Sequence, residues 1–102
     1  MRYVFEWNIG KAKSNLSKHE VSFEDAATVF KDVNALSIFD KKHSDEEERW
    51  ITLGFSVSGR LLVVCHTFRR IDSKQSVIRI ISSRKATKLE SKQYGGHDEK
   101  GI

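Results

Sequence analysis

Val77-Ile78-Arg79-Ile80-Ile81-Ser82-Ser83-Arg84-Lys85-Ala86-Thr87 begins as an apolar run and ends as a basic, hydroxyl-bearing one. Val77, Ile78, Ile80 and Ile81 are β-branched, and such side chains fit the pleated, half-buried surface of a sheet. The stretch therefore predicts a strand. Arg79 interrupts it. A lone guanidinium is costly to bury, so Arg79 is expected to point into a cleft or towards an acidic partner. Arg84 and Lys85 follow where the strand is expected to give way to a last helix over residues 84–94, with Ser82 or Ser83 as its N-cap. Amides at a helix start, with two cations beside them, suit a phosphate. Gly95 and Gly96 are expected to stop that helix, leaving 1–96 as a single domain and 97–102 as a disordered tail.

The segments before this stretch supply the rest of the fold. Tyr3, Phe5 and Trp7 alternate with Val4 and Glu6, which predicts a first strand with an aromatic face. Asn8 can cap a helix running to about His19, with Ile9, Ala12, Leu16 and His19 on one stripe and Lys11, Lys13 and Lys18 mostly off it. Ser22-Phe23-Glu24-Asp25 resembles a capping box with Asp in place of Glu. The helix it opens carries Phe23, Ala26, Ala27 and Phe30 on one face and is expected to end near Lys31. Ala35 to Phe39 is a short strand. Residues 40–48, DKKHSDEEE, form a charged loop. Arg49 to Phe55 alternates, Gly59 marks a turn, and Arg60 to Phe68 returns as the second arm of a hairpin. Its RLLVVC run is apolar on both faces, as a central strand would be. Arg69 to Ser76 reads as a polar loop. Helices segregated from a run of strands make an α+β, two-layer domain. Its sheet is expected to be mostly antiparallel, with four to five strands, two N-terminal helices and one C-terminal helix.

The composition narrows the function. One domain of 102 residues can bury roughly two-thirds of its unfolded surface, which is enough for a core without staples. The single cysteine, Cys65, rules out an internal disulfide and fits a reducing cytoplasm; its apolar surroundings make it a small core side chain. No apolar run approaches the ~20 residues of a membrane span, and the charged N-terminus lacks the apolar core of a signal peptide. The net charge of +4 and a pI near 9.3 suit a nucleic-acid or acidic-protein partner. His43, Asp45, Glu46 and Glu47 lie close together without a recognised ligand spacing, so no metal or other cofactor is expected.

Several pieces resemble one family in order and spacing: Phe5-Glu6-Trp7, Lys11-Ala12, Asn15 and Lys18-His19; Val21 to Ala26; Val29 to Asp32; His43-Ser44, then Glu47-Glu48-Arg49; Gly54; Gly59 to Val64; and Arg79 to Thr87. The chain resembles the BrnT toxins, the toxin half of a bacterial type II toxin–antitoxin pair, over about residues 4–94. The resemblance implies a fold similar to the RelE-type ribonucleases and metal-independent RNA cleavage that halts growth. It also implies a small BrnA-like antitoxin with a ribbon-helix-helix DNA-binding domain, through which alone the toxin meets operator DNA. Family members often carry Gly where Glu20 stands, Pro where Val33 stands and Tyr where His66 stands.

RNA cleavage by 2′-hydroxyl attack needs a base, an acid, and donors or cations for the charged phosphorane. Arg79 and Arg84 are the candidate catalytic cations, since guanidinium forks match phosphate oxygens. Strict alternation puts them on opposite faces unless the strand ends or bulges near Ser82. His66 and Glu48 are the candidate acid–base groups. Arg60, Lys85, Lys11 and Lys18 are the candidate phosphate contacts. His19 reads as a helix C-terminal cation, and Tyr94 as packing for the last helix. Two other classes compete with a ribonuclease. One is a catalytically silent module that only binds the antitoxin. The other is a small DNA-binding protein, disfavoured because the helix over 22–31 starts with Glu24 and Asp25 and ends with one cation.

Overall fold

The computed structural model describes residues 2–43 and 47–100, with side chains as far as Gly95. β1 (Arg2–Trp7) leads into α1 (Ile9–His19), whose cap Asn8 accepts the Lys11 amide at 3.0 Å. α2 (Phe23–Ala27) is capped by Ser22, which accepts the Asp25 amide at 3.0 Å. Both caps sit where the sequence put them. α2 is shorter than predicted, because the chain tightens into a 3-10 turn over Thr28–Lys31. There the Thr28 hydroxyl donates to the Asp25 carbonyl at 2.6 Å and accepts from the Val57 amide at 2.9 Å, tying the turn to a neighbouring hairpin.

β2 (Leu36–Phe39) pairs antiparallel with β3 (Arg49–Phe55), and β3 with β4 (Leu61–Thr67), through a turn in which Gly59 takes φ +83°. β5 (Arg69–Arg70) and β4 both pair antiparallel with β6 (Gln75–Lys85). β1 runs parallel to β6 on its other edge, so the order is β1-β6-β4-β3-β2. Among the described residues the sheet is thus six-stranded, against an expectation of four to five strands, and mixed, because β1 pairs parallel while the other pairings are antiparallel as expected. The first strand is separated from β6 by the helices and the hairpin, a connection long enough to return the chain in the same direction. Arg69 and Arg70, read from sequence as loop, pair with β6 because Asp72 closes a tight turn, accepting the Lys74 and Gln75 amides at 2.7 and 2.9 Å.

One irregularity in β6 decides which side chains share a face. Cys65 stands opposite Ser82, but His66 stands opposite Ile80, so Ile81 is an extra residue. A bulge of this kind resets the alternation of a strand. Ile78 and Ile80 before it and Ser83 after it all face the helices, while Arg79 and Arg84 both face the opposite side. The helix-side core is Val21, Phe23, Ala26 and Val29 against Leu62, Val64, Ile78 and Ile80. Of the stripe predicted for α1, Ala12 packs against the core but the larger residues do not. Ile9 and Leu16 are 70% and 52% exposed. The buried face centres on Asn15, whose amide donates to the carbonyls of Val21 and Ser83, both at 2.9 Å, and accepts the Ser83 amide at 3.0 Å. A side chain that satisfies three backbone groups outweighs the apolar residues beside it, because each such group left unpaired would cost about 1–3 kcal/mol.

α3 (Lys88–Lys100) begins later than predicted. Ladder pairing continues to Lys85, so Ser82 and Ser83 stay in the strand. The cap is Thr87, in a reciprocal capping box: its hydroxyl accepts the Glu90 amide at 3.2 Å, and its amide donates to Glu90 Oε1 at 2.9 Å. The helix also passes through Gly95 and Gly96, where a stop was expected. Two contacts fix it. Arg84 forks onto Glu90, with both Nη–Oε distances 2.8 Å, and the Tyr94 hydroxyl donates to Asp32 Oδ2 at 2.6 Å while its ring meets Phe55 edge-on at 5.2 Å. Among the described residues no helix is long and apolar enough to cross a membrane. Ser44, Asp45 and Glu46 of the charged loop lie outside the described residues.

Two stability predictions follow from the helix ends. α1 closes on Glu20 at φ 58°, with its N–H donating to the Leu16 carbonyl. That left-handed conformation costs an L side chain about 1–2 kcal/mol, so Glu20→Gly should raise stability by about 1 kcal/mol after the unfolded-state entropy is deducted. The expected signature is a higher urea midpoint at unchanged slope. At α3, hydrogen bonds from Arg84 hold the Glu90 carboxyl down to about 2 from an ordinary 4.5, against its burial and with help from Thr87. A carboxyl lowered in the folded state stabilises fully above its unfolded value and loses that contribution as pH falls through the folded one. The start of α3 should therefore loosen between pH 4.5 and 2, visible as a titration of the Thr87 amide resonance that is absent in Glu90→Gln.

Candidate functional site

α1 ends beside the point where β6 leaves the sheet, because the Asn15 contacts lay the helix across that strand. The result is one open cleft of about 460 Å³, lined by Lys18, His19 and Glu20 from the end of α1 and by Arg84, Lys85 and Thr87 from the β6–α3 junction. Three of the cations predicted as phosphate contacts or catalytic groups, Lys18, Arg84 and Lys85, are therefore neighbours. α3 starts at the same wall, with the positive end of its dipole there. Lys85 Nζ lies 3.9 Å from Glu20 Oε1, a pair in which both side chains are more than half exposed and which contributes little. Arg84 is held more firmly. The hydrogen bonds from its guanidinium to Glu90 raise its pKa further, against partial burial. Cations arranged in this way can bind a phosphodiester, and the His19 imidazole supplies a group able to take or give a proton there.

The other predicted residues lie elsewhere. Arg60 is spent on the scaffold behind the cleft, donating to the Glu20 carbonyl at 2.9 Å and to Asp25 Oδ2 at 3.2 Å. Burial works to raise the Asp25 carboxyl, but hydrogen bonds from Ser58 and Ser56 and the Arg60 charge hold it below the usual range. Arg79 shares a sheet face with Arg84 but not the cleft, and is paired with Glu47. Glu48 is exposed just ahead of β3. Lys11 lies on the same side of α1 as Lys18, about 10 Å further along the axis.

His66 sits in the core on the helix face of β4, 3% exposed. Its Nδ1 lies 2.9 Å from the Thr67 carbonyl and its Nε2 2.7 Å from Thr52 Oγ1. A carbonyl only accepts, so Nδ1 carries the proton and Nε2 accepts from Thr52. Burial pushes the imidazole's pKa down, against the Thr67 hydrogen bond, and keeps it neutral. Both nitrogens are committed, which leaves none for a phosphodiester.

The sequence reading took His19 for a helix-end cation and did not single out Thr87. For Thr87 the signal was present, since Thr87-Lys88-Leu89-Glu90 has the spacing of a capping box. For His19 it was not, because its place depends on the packing of α1 across β6. On the opposite face of the sheet Leu36, Ile38, Ile51, Leu53, Val63 and Cys65 line an apolar trough of about 410 Å³, closed at one end by the Arg84–Glu90 pair.

Comparison with known proteins matches this arrangement to a family. No curated protein matches the chain significantly. Among solved structures it is similar to the 1.1 Å crystal structure of the Brucella abortus ribonuclease toxin BrnT, with 19% sequence identity and a TM-score of 0.59, over 86% of this chain and 100% of that one. At this identity the likeness establishes a shared fold. The family model for the ribonuclease toxin BrnT of type II toxin–antitoxin systems matches residues 7–90, most of the chain, from β1 through the capping box of α3. The chain belongs to the BrnT family of ribonuclease toxins, whose members work opposite a cognate antitoxin.

Proposed function

We propose that this protein is an endoribonuclease that needs no metal ion, cleaves RNA at the α1–β6 cleft and thereby inhibits growth. In the reaction the ribose 2′-oxygen attacks the adjacent phosphorus as its proton is removed. The bond to the 5′-oxygen breaks, and that oxygen takes up a proton, leaving a 2′,3′-cyclic phosphate. Lys18, Lys85 and Arg84 meet the charge on the phosphorane, and His19 is the proton-transfer group. Arg84 is oriented by its fork onto Glu90. Lys11, two turns along α1, extends a positive field towards the cleft, while Arg79, on the outer face, is paired with Glu47. The carrying observation is that three cations and an imidazole, from elements more than sixty residues apart, line one open cleft. The protein would act in the cytoplasm. Its partner would be a BrnA-like antitoxin with a ribbon-helix-helix domain, and operator DNA would be reached only through that partner.

One observation favours the competing reading of a silent binding module: Arg79 and Arg84 are both already paired with carboxylates. Incubating purified protein with total RNA separates the two. A nuclease degrades RNA equally well with and without chelator, whereas intact RNA alongside a stable antitoxin complex would select the binding module. Lys85→Ala should lower cleavage by about 10²-fold, and His19→Ala by about 10²-fold or more. Both side chains are exposed, so unchanged thermal melts should accompany relief of growth arrest. Full activity in both variants would remove the cleft from the mechanism.

A further inference from the structure

A second concavity lies on the helix-bearing face, at the end of the sheet that the helices leave uncovered. It is a cavity of about 240 Å³ walled by Tyr3, Phe30, Trp50 and Phe68, with Ser37 and His66 its polar lining. The rings stand nearly at right angles to one another. Tyr3 meets Phe30 at 6.3 Å and 70°, and Phe68 at 6.3 Å and 75°. Phe30 meets the His66 imidazole at 4.8 Å and 89°. Walls set in this way let an inserted planar ring stack on one aromatic face while touching the edge of the next. The box is open: Tyr3 and Phe68 are each 39% exposed.

Two cations stand beside these walls. Lys31 follows Phe30, and Arg70 lies two residues beyond Phe68; both are exposed and neither forms an ion pair among the described residues, though the Arg70 guanidinium donates to the Asp72 carbonyl at 3.3 Å, while Arg2 and Arg69, opposite Gln75 and Val77, face the other side of the sheet. Arg70 stands opposite Ser76, as Tyr3 does, so it projects on the cavity's side of the sheet. Aromatic faces flanked by unpaired cations are how proteins hold single-stranded nucleic acid, with bases stacking and backbone following the charge. A protein side chain would fill the box as well, but an apolar one would leave Lys31 and Arg70 without an anionic counterpart.

The polar lining adds a direction. The His66 Nε2 accepts from Thr52, so Thr52 Oγ1 has no proton left for its 2.7 Å contact with Ser37 Oγ. Ser37 must donate to Thr52, and its oxygen faces the cavity as an acceptor only.

We infer that this aromatic box is a nucleobase subsite, taking one unstacked base of a single-stranded RNA and favouring a base whose edge presents an N–H donor to Ser37. The inference rests on the ribonuclease reading for its substrate class but uses none of the cleft residues, so the two can fail separately.

Trp50 is the reporter. In a Trp7→Phe background it is the remaining tryptophan, and it lines the box. Titration with a 2′-O-methyl single-stranded oligonucleotide, which binds but cannot be cleaved, should change its fluorescence saturably. The same strand with abasic positions should bind more weakly and leave the fluorescence unchanged. Phe68→Ala should weaken binding by about five- to a hundredfold, and Ser37→Ala, an exposed change that leaves the walls intact, should flatten the preference between base types. No base-dependent signal, with RNA still cleaved, would overturn the subsite and spare the nuclease. A base-dependent signal without cleavage would keep the subsite and remove the nuclease. A fluorescence change produced by the antitoxin and by no oligonucleotide would assign the box to the protein partner and overturn the inference.

Discussion

The extra residue in β6 is the feature on which the rest of the molecule depends. Without Ile81, Ser83 would turn away from α1, and Asn15 would lose two of its three backbone partners. α1 would then have little to hold it across the strand, since its apolar residues Ile9 and Leu16 face solvent. The same residue brings Arg84 to the outer face, where it can reach Glu90. A single unpaired position thus places the first helix on one side of the sheet and anchors the last helix from the other.

Much of this was legible locally. Asn8 and Ser22 cap helices as their side chains predict, Gly59 turns the hairpin with a positive φ, and the apolar run Leu61–Val64 lies in the middle of the sheet. What could not be read is what depends on distant partners. The parallel pairing of β1 with β6 is set by the packing of everything between them. The bulge carries no local mark, since Ile80-Ile81 reads like any β-branched pair, and strict alternation therefore put Arg79 and Arg84 on opposite faces. His66 was a candidate acid–base group because histidine is the side chain that ordinarily titrates near neutral pH. Burial and two committed nitrogens make it part of the core instead. His19 looked like a helix-end cation and lines the cleft.

The departures from the family pattern have physical meaning here. Members often carry glycine where Glu20 stands, and Glu20 is the non-glycine residue with positive φ among the described residues. That backbone turn lets Arg60 bind the Glu20 carbonyl and hold the end of α1 against α2. This chain keeps the turn with a side chain that pays strain for it. Where other members often carry tyrosine, His66 joins Thr52 and Ser37 in a chain of hydrogen bonds running from core to surface.

Glu90 has one further consequence. Its carboxylate caps the last helix and also grips Arg84. Any anion that drew that guanidinium towards itself would take it from Glu90, so anion binding at Arg84 and the docking of the C-terminal segment would compete for one group. Linkage makes the antagonism reciprocal: a partner that clamps the segment down must weaken the anion by the same factor that the anion loosens the segment.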